Sequence, residues 1–350
     1  MKKIIPISIL FLGAILLTLI YYFSKPAEDV SLRIELATKN GLKVLLMNQL
    51  PHGEIPMQFC IEGLSESRCG SDRTPLFTSY TLVALHQLKD YSDVQTIAAK
   101  GVAFLKLEMT SSSMWRYVYR PHWYNLRPDI VDQRDGGVLA DFDSTALASL
   151  ALDLYDKTPN NKELFQTHRN NEGLLYLWER RIDGTQNEEI DCGAVANSLS
   201  YLADFSDVNS CNYLKTNLEK NKSCSLYYEN GPVLDYFVGY AYVRTGSCLG
   251  DTRSIVIERV LSRQKFDGSF GNDMETAMAL STLLRLQYDQ ATLKKSVAWL
   301  LDRQEKSGLW SRQNLFHFNE VNGGRYTFGS EELTTALVLE ALFLYRTNQK

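Results

Sequence analysis

Residues 260–270 read Val-Leu-Ser-Arg-Gln-Lys-Phe-Asp-Gly-Ser-Phe, and residues 300–310 read Leu-Leu-Asp-Arg-Gln-Glu-Lys-Ser-Gly-Leu-Trp. The two segments lie 40 residues apart. They share an apolar helix end, then Gln264 or Gln304, then Gly268 or Gly308, then an aromatic. A fixed period of this length marks a repeat architecture, in which each unit buries its apolar face against its neighbours. A weaker copy ends at Gln49 and Gly53, and a degenerate one runs from Ala103 to Trp115.

Each copy is followed by a helix-length stretch rich in small residues, with an acid or hydroxyl at its start. These are 78–88, 141–155, 191–203, 275–286 and 332–345, with 233–244 as a sixth. Between them lie amphipathic patterns such as 255–264 and 291–304. No segment alternates with the period of a strand at comparable strength. Two helix types alternating six times close into a ring. Helices such as Ala146-Leu-Ala-Ser-Leu-Ala151 suit a crowded inner circle, and the amphipathic ones suit a half-solvated outer circle. The expected fold is all-α, an (α/α)6 toroid over residues 30–350. An open solenoid is the alternative, with few repeats for one and no evident terminal caps.

The chain has 350 residues, 45% hydrophobic and 22% charged, with a net charge of −4, which suits a packed globular protein. No basic arm or patch points to nucleic acid. The five histidines show no metal-ligand spacing and no Cys-x-x-Cys occurs, so neither metal nor cofactor is expected. Residues 1–29 stand apart. Lys2 and Lys3 precede a run from Ile4 to Phe23 without a charge, long enough to cross a bilayer. The expectation is a single-pass anchor with a cytoplasmic N-terminus and an exported toroid. A cleaved signal peptide is the competing reading. Its apolar region is usually shorter, about 7–15 residues, and Ser24-Lys25-Pro26-Ala27 makes a poor cleavage site. In an exported chain, Cys60, Cys69, Cys192, Cys211, Cys224 and Cys248 suggest disulfides. Short separations favour Cys60 with Cys69 and Cys211 with Cys224, while buried free thiols remain the alternative.

The Gln304–Trp310 element resembles the repeat signature of the squalene–hopene cyclase and protein prenyltransferase superfamily. Asp141-Phe142-Asp143-Ser144-Thr145-Ala146 resembles the Asp-x-Asp-Asp-Thr-Ala motif of class II terpene cyclases. Residues 328–336 are similar to bacterial members without an assigned reaction. The resemblance implies the toroid. It also implies that the middle acid, Asp143, protonates an alkene or epoxide of an isoprenoid lipid beside Asp141, without a metal. Ser144 stands where the family has a third acid. The family's cyclases place their cavity between two helical domains, and this chain has length for one.

That chemistry is physically coherent. A carboxyl stays protonated near neutral pH when it is desolvated or flanked by another carboxyl, and neighbouring acids share a proton. A carbocation needs a dry pocket of aromatic faces. Trp115, Tyr117, Tyr119, Trp123 and Tyr124 are candidates from one region, and Tyr227, Tyr228, Tyr236, Phe237 and Tyr240 from another. A packed loop is the plainer reading of the first group. The stretch 110–137 is long for a loop, which suggests a lid. Its Arg116, Arg120, Arg127 and Arg134 either bind an anion or pair with Asp129, Asp132 and Asp135.

The plain reading of Asp141 to Thr145 is a helix cap, and Asp191, Asp273, Glu275, Glu331 and Glu332 start other inner helices in the same way. Inner-helix starts in a toroid converge on one mouth. Ser144, Thr145, Asp191, Glu275 and Glu332 are therefore expected to support Asp143 and Asp141 there. Asp191-Cys192 invites comparison with prenyltransferase zinc ligands, but the two are adjacent, so zinc is not expected. No Gly-x-Ser-x-Gly element occurs. Three functions remain open. The first is a membrane-anchored cyclase or isomerase of an isoprenoid lipid. The second is a carbohydrate-active hydrolase or lyase, with Asp143 paired to Glu275 or Glu332. The third is a non-catalytic ring that binds a lipid or a protein. An enclosed apolar cavity favours the first, an open polar groove the second and a filled centre the third.

Overall fold

Apolar residues that recur on every side of a helix require burial on every side, and the small-residue helices meet that requirement at the centre of a ring. The computed structural model describes residues 30–62, 68–118, 138–203, 207–220, 224–228, 231–319 and 325–348. The expected anchor, Trp123 and the rest of 119–137 lie outside the described residues. Among the described residues, no helix is long and apolar enough to cross a membrane.

The outer helices are α1 (Val30–Asn48), α3 (Ser92–Leu107), the short α5 (Lys162–Thr167), α7 (Val208–Glu219), α9 (Thr252–Leu261) and α11 (Lys294–Asp302). The inner helices are α2 (Pro75–Leu85), α4 (Phe142–Leu154), α6 (Cys192–Leu202), α8 (Gly231–Thr245), α10 (Asp273–Arg285) and α12 (Glu331–Thr347). Each inner helix packs on the next, and α12 returns to α2, so the ring closes and the solenoid is excluded. Every residue of α2 is buried, whereas α3 buries only the stripe Val94, Ile97, Ala98, Gly101, Phe104 and Leu105.

The joint between outer and inner helices recurs at 50–54, 110–114, 170–174, 265–269 and 305–309. In each, the first N–H bonds the fifth carbonyl and the fourth N–H bonds the first carbonyl. The fourth residue has positive φ, at Gly53, Ser113, Gly173, Gly268 and Gly308. Glycine is the usual solution to that conformation, so Ser113 explains why the second copy looks degenerate. The Gln49 amide donates to Gly53 O and to Ile97 O of the next outer helix. Gln304 does the same with Gly308 O and Ala37 O, which ties α11 to α1 across the closure. Arg169 takes this role at 170–174 by donating to Gly173 O, which hid that copy from a Gln-based pattern.

The all-α expectation needs one correction. Strands β1 (Met57–Glu62) and β2 (Arg68–Asp72) lie between α1 and α2, and β3 (Gln313–Asn319) and β4 (Arg325–Ser330) lie between α11 and α12. They form one antiparallel sheet in the order β2-β1-β4-β3. The pairing of β1 with β4 joins the first and last helix pairs, so the sheet fastens the seam of the ring. Its strands are short, and β1 is mostly half-buried, so no clean period-two signal arises.

Three disulfides are present, Cys60–Cys69, Cys192–Cys224 and Cys211–Cys248. The first matches the expectation and joins residues directly opposed in β1 and β2. The expected Cys211–Cys224 pair is wrong. Cys224 O accepts the Cys192 N–H at the start of α6, while Cys211, on α7, meets the turn after α8. Chain separation misled because a helix intervenes. All six thiols are oxidised, which fits an oxidising, exported compartment.

Candidate active site at the rim of the ring

Each outer helix runs back antiparallel to the inner ones, so the inner helices all start at one rim. Their caps follow one rule. Thr74, Asp141, Asp191, Asn272 and Ser330 each accept a backbone N–H of the first turn through the side chain. Capping therefore accounts for Asp141 and Asp191. Asp191 is fully engaged, since its second oxygen takes the Ser225 hydroxyl and the Leu226 N–H.

At four of the six inner-helix starts a threonine receives the N–H that follows the repeated turn. Ile55 N bonds Thr78, Trp115 N bonds Thr145, Phe270 N bonds Thr276 and Trp310 N bonds Thr335, all at 2.9–3.1 Å. Thr145 is thus part of the helix joint. Two residues before these threonines stand Leu76, Asp143, Met274 and Leu333. All are buried, and only Asp143 is polar. No repeat rule accounts for a carboxyl at that position.

Three elements converge on it. Asn197 Nδ2 of α6 donates to Asp143 Oδ1 at 2.7 Å, and the Tyr228 hydroxyl donates to Oδ2. Tyr80 of α2 meets the Tyr228 hydroxyl at 3.1 Å and stacks on Phe237. Burial pushes the Asp143 carboxyl up to about 7, against the downward pull of Tyr228 and Asn197, and the Asp191 charge adds to the rise. Burial, then the neighbouring Asp143 charge, pushes Asp141 up to about 8, against the Ser144 N–H that holds it down. Near neutral pH the pair therefore retains a proton. Burial and the Asp143 charge also hold the Tyr80 and Tyr228 phenols well above their usual range, so both stay protonated donors.

The two carboxyls and Ser144 face a cavity of about 340 Å³, counting the part open to solvent. Its walls are otherwise apolar and aromatic, with Leu76, Leu177, Tyr117, Trp178, Tyr227 and Phe316. Trp178 lies edge-on to both Tyr117 and Tyr227, at 6.0 and 6.4 Å between centroids. Glu189 orients this wall by accepting from Trp178 Nε1 and the Tyr227 hydroxyl.

The other expected residues are dispersed. Trp115 is buried in a helix joint, its Nε1 donating to Leu105 O. Tyr236 and Tyr240 pack around a buried Arg285–Glu340 ion pair between α8, α10 and α12, away from the Asp143 cavity. Glu275 closes a capping box with Asn272, and Glu332 accepts from Asn48. Asp273 is ion-paired with Arg303. Neither Glu275 nor Glu332 lines the Asp143 cavity. Cys192 is oxidised and so is no thiolate ligand. Among the described residues, no group of three His, Cys, Asp or Glu side chains could hold a metal. The sequence reading missed Asn197, Tyr80 and Trp178. An amide inside the small-residue helix Ala194-Val-Ala-Asn-Ser-Leu199 was the one available signal.

No protein-family model matches the chain, and no curated protein matches it in sequence. Solved structures do resemble it. A variant of the type II terpene cyclase MstE from Scytonema, in complex with geranylgeranyl dihydroxybenzoate as substrate, superposes with a TM-score of 0.65 at 15% identity, covering 91% of this chain and 99% of that one. The ent-copalyl diphosphate synthase from Streptomyces platensis gives 0.58 at 15% identity over 78% of this chain and 50% of that one. A family 105 glycoside hydrolase from C. acetobutylicum gives 0.55 at 12% identity, covering 89% and 99%. The chain has the α/α toroid fold of the terpene cyclases. Because MstE is matched over nearly its whole length, a second helical domain is no requirement of the fold.

Proposed function

We propose that the chain is an exported terpene cyclase-like enzyme that starts its reaction by proton transfer from the Asp143–Asp141 pair to an alkene of an isoprenoid lipid. The carrying observation is Asp143 itself, a buried carboxyl at a position where the three other threonine-marked helix starts place Leu or Met, facing an aromatic cavity. Asp143 gives its proton to the alkene carbon, and the π electrons form the new C–H bond. The carboxylate left behind accepts from Tyr228 and Asn197, so both bonds strengthen as charge develops. Asp141, pushed up to about 8 by burial and by the Asp143 charge, stays protonated beside it near neutral pH. The faces of Trp178, Tyr117 and Tyr227 attract the cation. Loss of a proton from a neighbouring carbon ends the sequence with the mass unchanged, as cyclisation or isomerisation requires. Residues 4–23 serve as membrane anchor or export signal in this reading, which brings the site to a lipid substrate.

The glycoside hydrolase reading shares the fold. It lacks its test pair, since neither Glu275 nor Glu332 faces Asp143 across the cavity. The experiment is lipid mass spectrometry of membrane extracts from cells making wild type or Asp143→Asn at matched levels. A lipid of equal mass but shifted retention, found only with wild type, is expected. Identical profiles would move the assignment away from lipids.

A further inference from the structure

A second cavity, about 640 Å³ counting the part open to solvent, shares the lining residue Phe316 with the first. The seam sheet and the start of α10 build it. β3 is also tied to the wall of the first cavity, where His317 N–H bonds Tyr227 O at 3.4 Å. The two cavities differ in chemistry. The Asp143 cavity is aromatic around one acid pair. The second is lined by amides from Asn272, Gln313 and Asn314, a hydroxyl from Thr327, an imidazole from His317 and the charged Glu62, Glu275 and Arg325. Glu62 and Arg325 are directly opposed in the β1–β4 register, and Thr327 donates to Glu62 at 3.2 Å.

We infer that this cavity binds the uncharged, hydroxyl-bearing head group of an amphiphilic substrate whose hydrocarbon end reaches Asp143; the inference rests on the function proposed above. The charge balance argues for neutrality. Glu62 and Glu275 are met by Arg325 in the lining and by Arg312 beside Glu62, so among the described residues no positive charge is left in excess to hold a diphosphate. Amides, imidazole and hydroxyl instead offer both donors and acceptors, which is what hydroxyls on a head group use. Phe316, common to both cavities, lies where head meets chain.

The test uses the full chain in detergent and four probes with one farnesyl chain: the β-glucoside, the hydroquinone, the diphosphate and the methyl ether. Tryptophan quenching that is lost in Trp178→Phe reports arrival of the chain in the first cavity, and calorimetry reports affinity. The glucoside or the hydroquinone is expected to bind at least about ten-fold more tightly than either the diphosphate or the methyl ether, since one or two buried hydrogen bonds to charged groups are worth that much. Gln313→Ala should weaken the hydroxylated probe several-fold and leave the methyl ether unchanged. Glu275→Gln keeps the capping box, because glutamine serves there too, and should strengthen diphosphate binding. The inference is overturned if the diphosphate binds wild type best, if all four probes bind alike, or if Gln313→Ala weakens them equally. These ratios involve no turnover. Head discrimination without any rearranged lipid would count against the role of Asp143 alone, and rearranged lipid without head discrimination against the second cavity alone.

Discussion

Asp143→Asn should make the protein more stable at pH 8 and have almost no effect at pH 4. In the unfolded chain the carboxyl titrates near its ordinary 3.8, and in the fold it is pushed up to about 7. Between those values the folded state holds more protons than the unfolded one, so this group's contribution to stability falls as pH rises through the window. The gap is roughly three pH units at about 1.4 kcal/mol each, a ceiling of about 4 kcal/mol. An asparagine avoids that cost. Its carbonyl can accept from Asn197 and its amide can donate to the Tyr228 oxygen, so neither partner is orphaned. It also removes the charge that raises Asp141. After allowance for imperfect hydrogen bonds, a gain of about 1–3 kcal/mol at pH 8 is expected, against a typical loss of about 1 kcal/mol for a random substitution. Urea unfolding with the disulfides intact, at several values between pH 4 and 8, measures it. Equal destabilisation at every pH would refute the reasoning, because it would make Asp143 an ordinary structural hydrogen-bond partner. A residue that costs stability at its working pH is held for its chemistry.

Tyr228→Phe removes the hydroxyl donor to Asp143 and should raise the midpoint of the carboxyl titration by about one to two pH units, as loss of a hydrogen bond to a charged group implies; isotope-edited infrared spectroscopy of the carboxyl reads it, and an unmoved midpoint would discount the contact. Thr145→Val orphans the Trp115 N–H and should cost about 1–3 kcal/mol of stability while leaving that titration in place, which separates the joint from the site. Peptide mapping without reduction should find Cys192 linked to Cys224 and Cys211 to Cys248, and breaking the first pair with a double Ser variant should cost about 2–4 kcal/mol.

Much of the ring was legible because its joints recur. A glutamine, a glycine at positive φ and an aromatic backed by threonine serve the same turn at both Gln264–Phe270 and Gln304–Trp310, so these two align by eye. Copies faded where another residue met the same need, as Ser113 does for glycine and Arg169 for glutamine. The seam sheet was invisible because its strands are stabilised by pairing between the two ends of the chain, which leaves no local period. At the site, Asp143 and Asp141 stood out as a motif, yet so did the acids of other caps. What separates Asp143 is its alignment with Leu76, Met274 and Leu333, which becomes plain once the threonines fix the register of each helix. Tyr80 and Trp178 come from distant segments and carry no local signature, while Asn197 showed only as an amide inside a small-residue helix. Tyr236 and Tyr240 misled because their rings pack on Arg285 of the neighbouring inner helix instead of lining the cavity.

The central claim is that Asp143 delivers a proton to an alkene carbon. Incubating the purified full chain with an isoprenoid lipid in deuterium oxide tests it most directly, because the carboxyl proton exchanges with solvent and the new C–H bond does not. The account predicts a rearranged product carrying one non-exchangeable deuterium with wild type and no product with Asp143→Asn. A rearranged product without deuterium, or full product formation by Asp143→Asn, would contradict it.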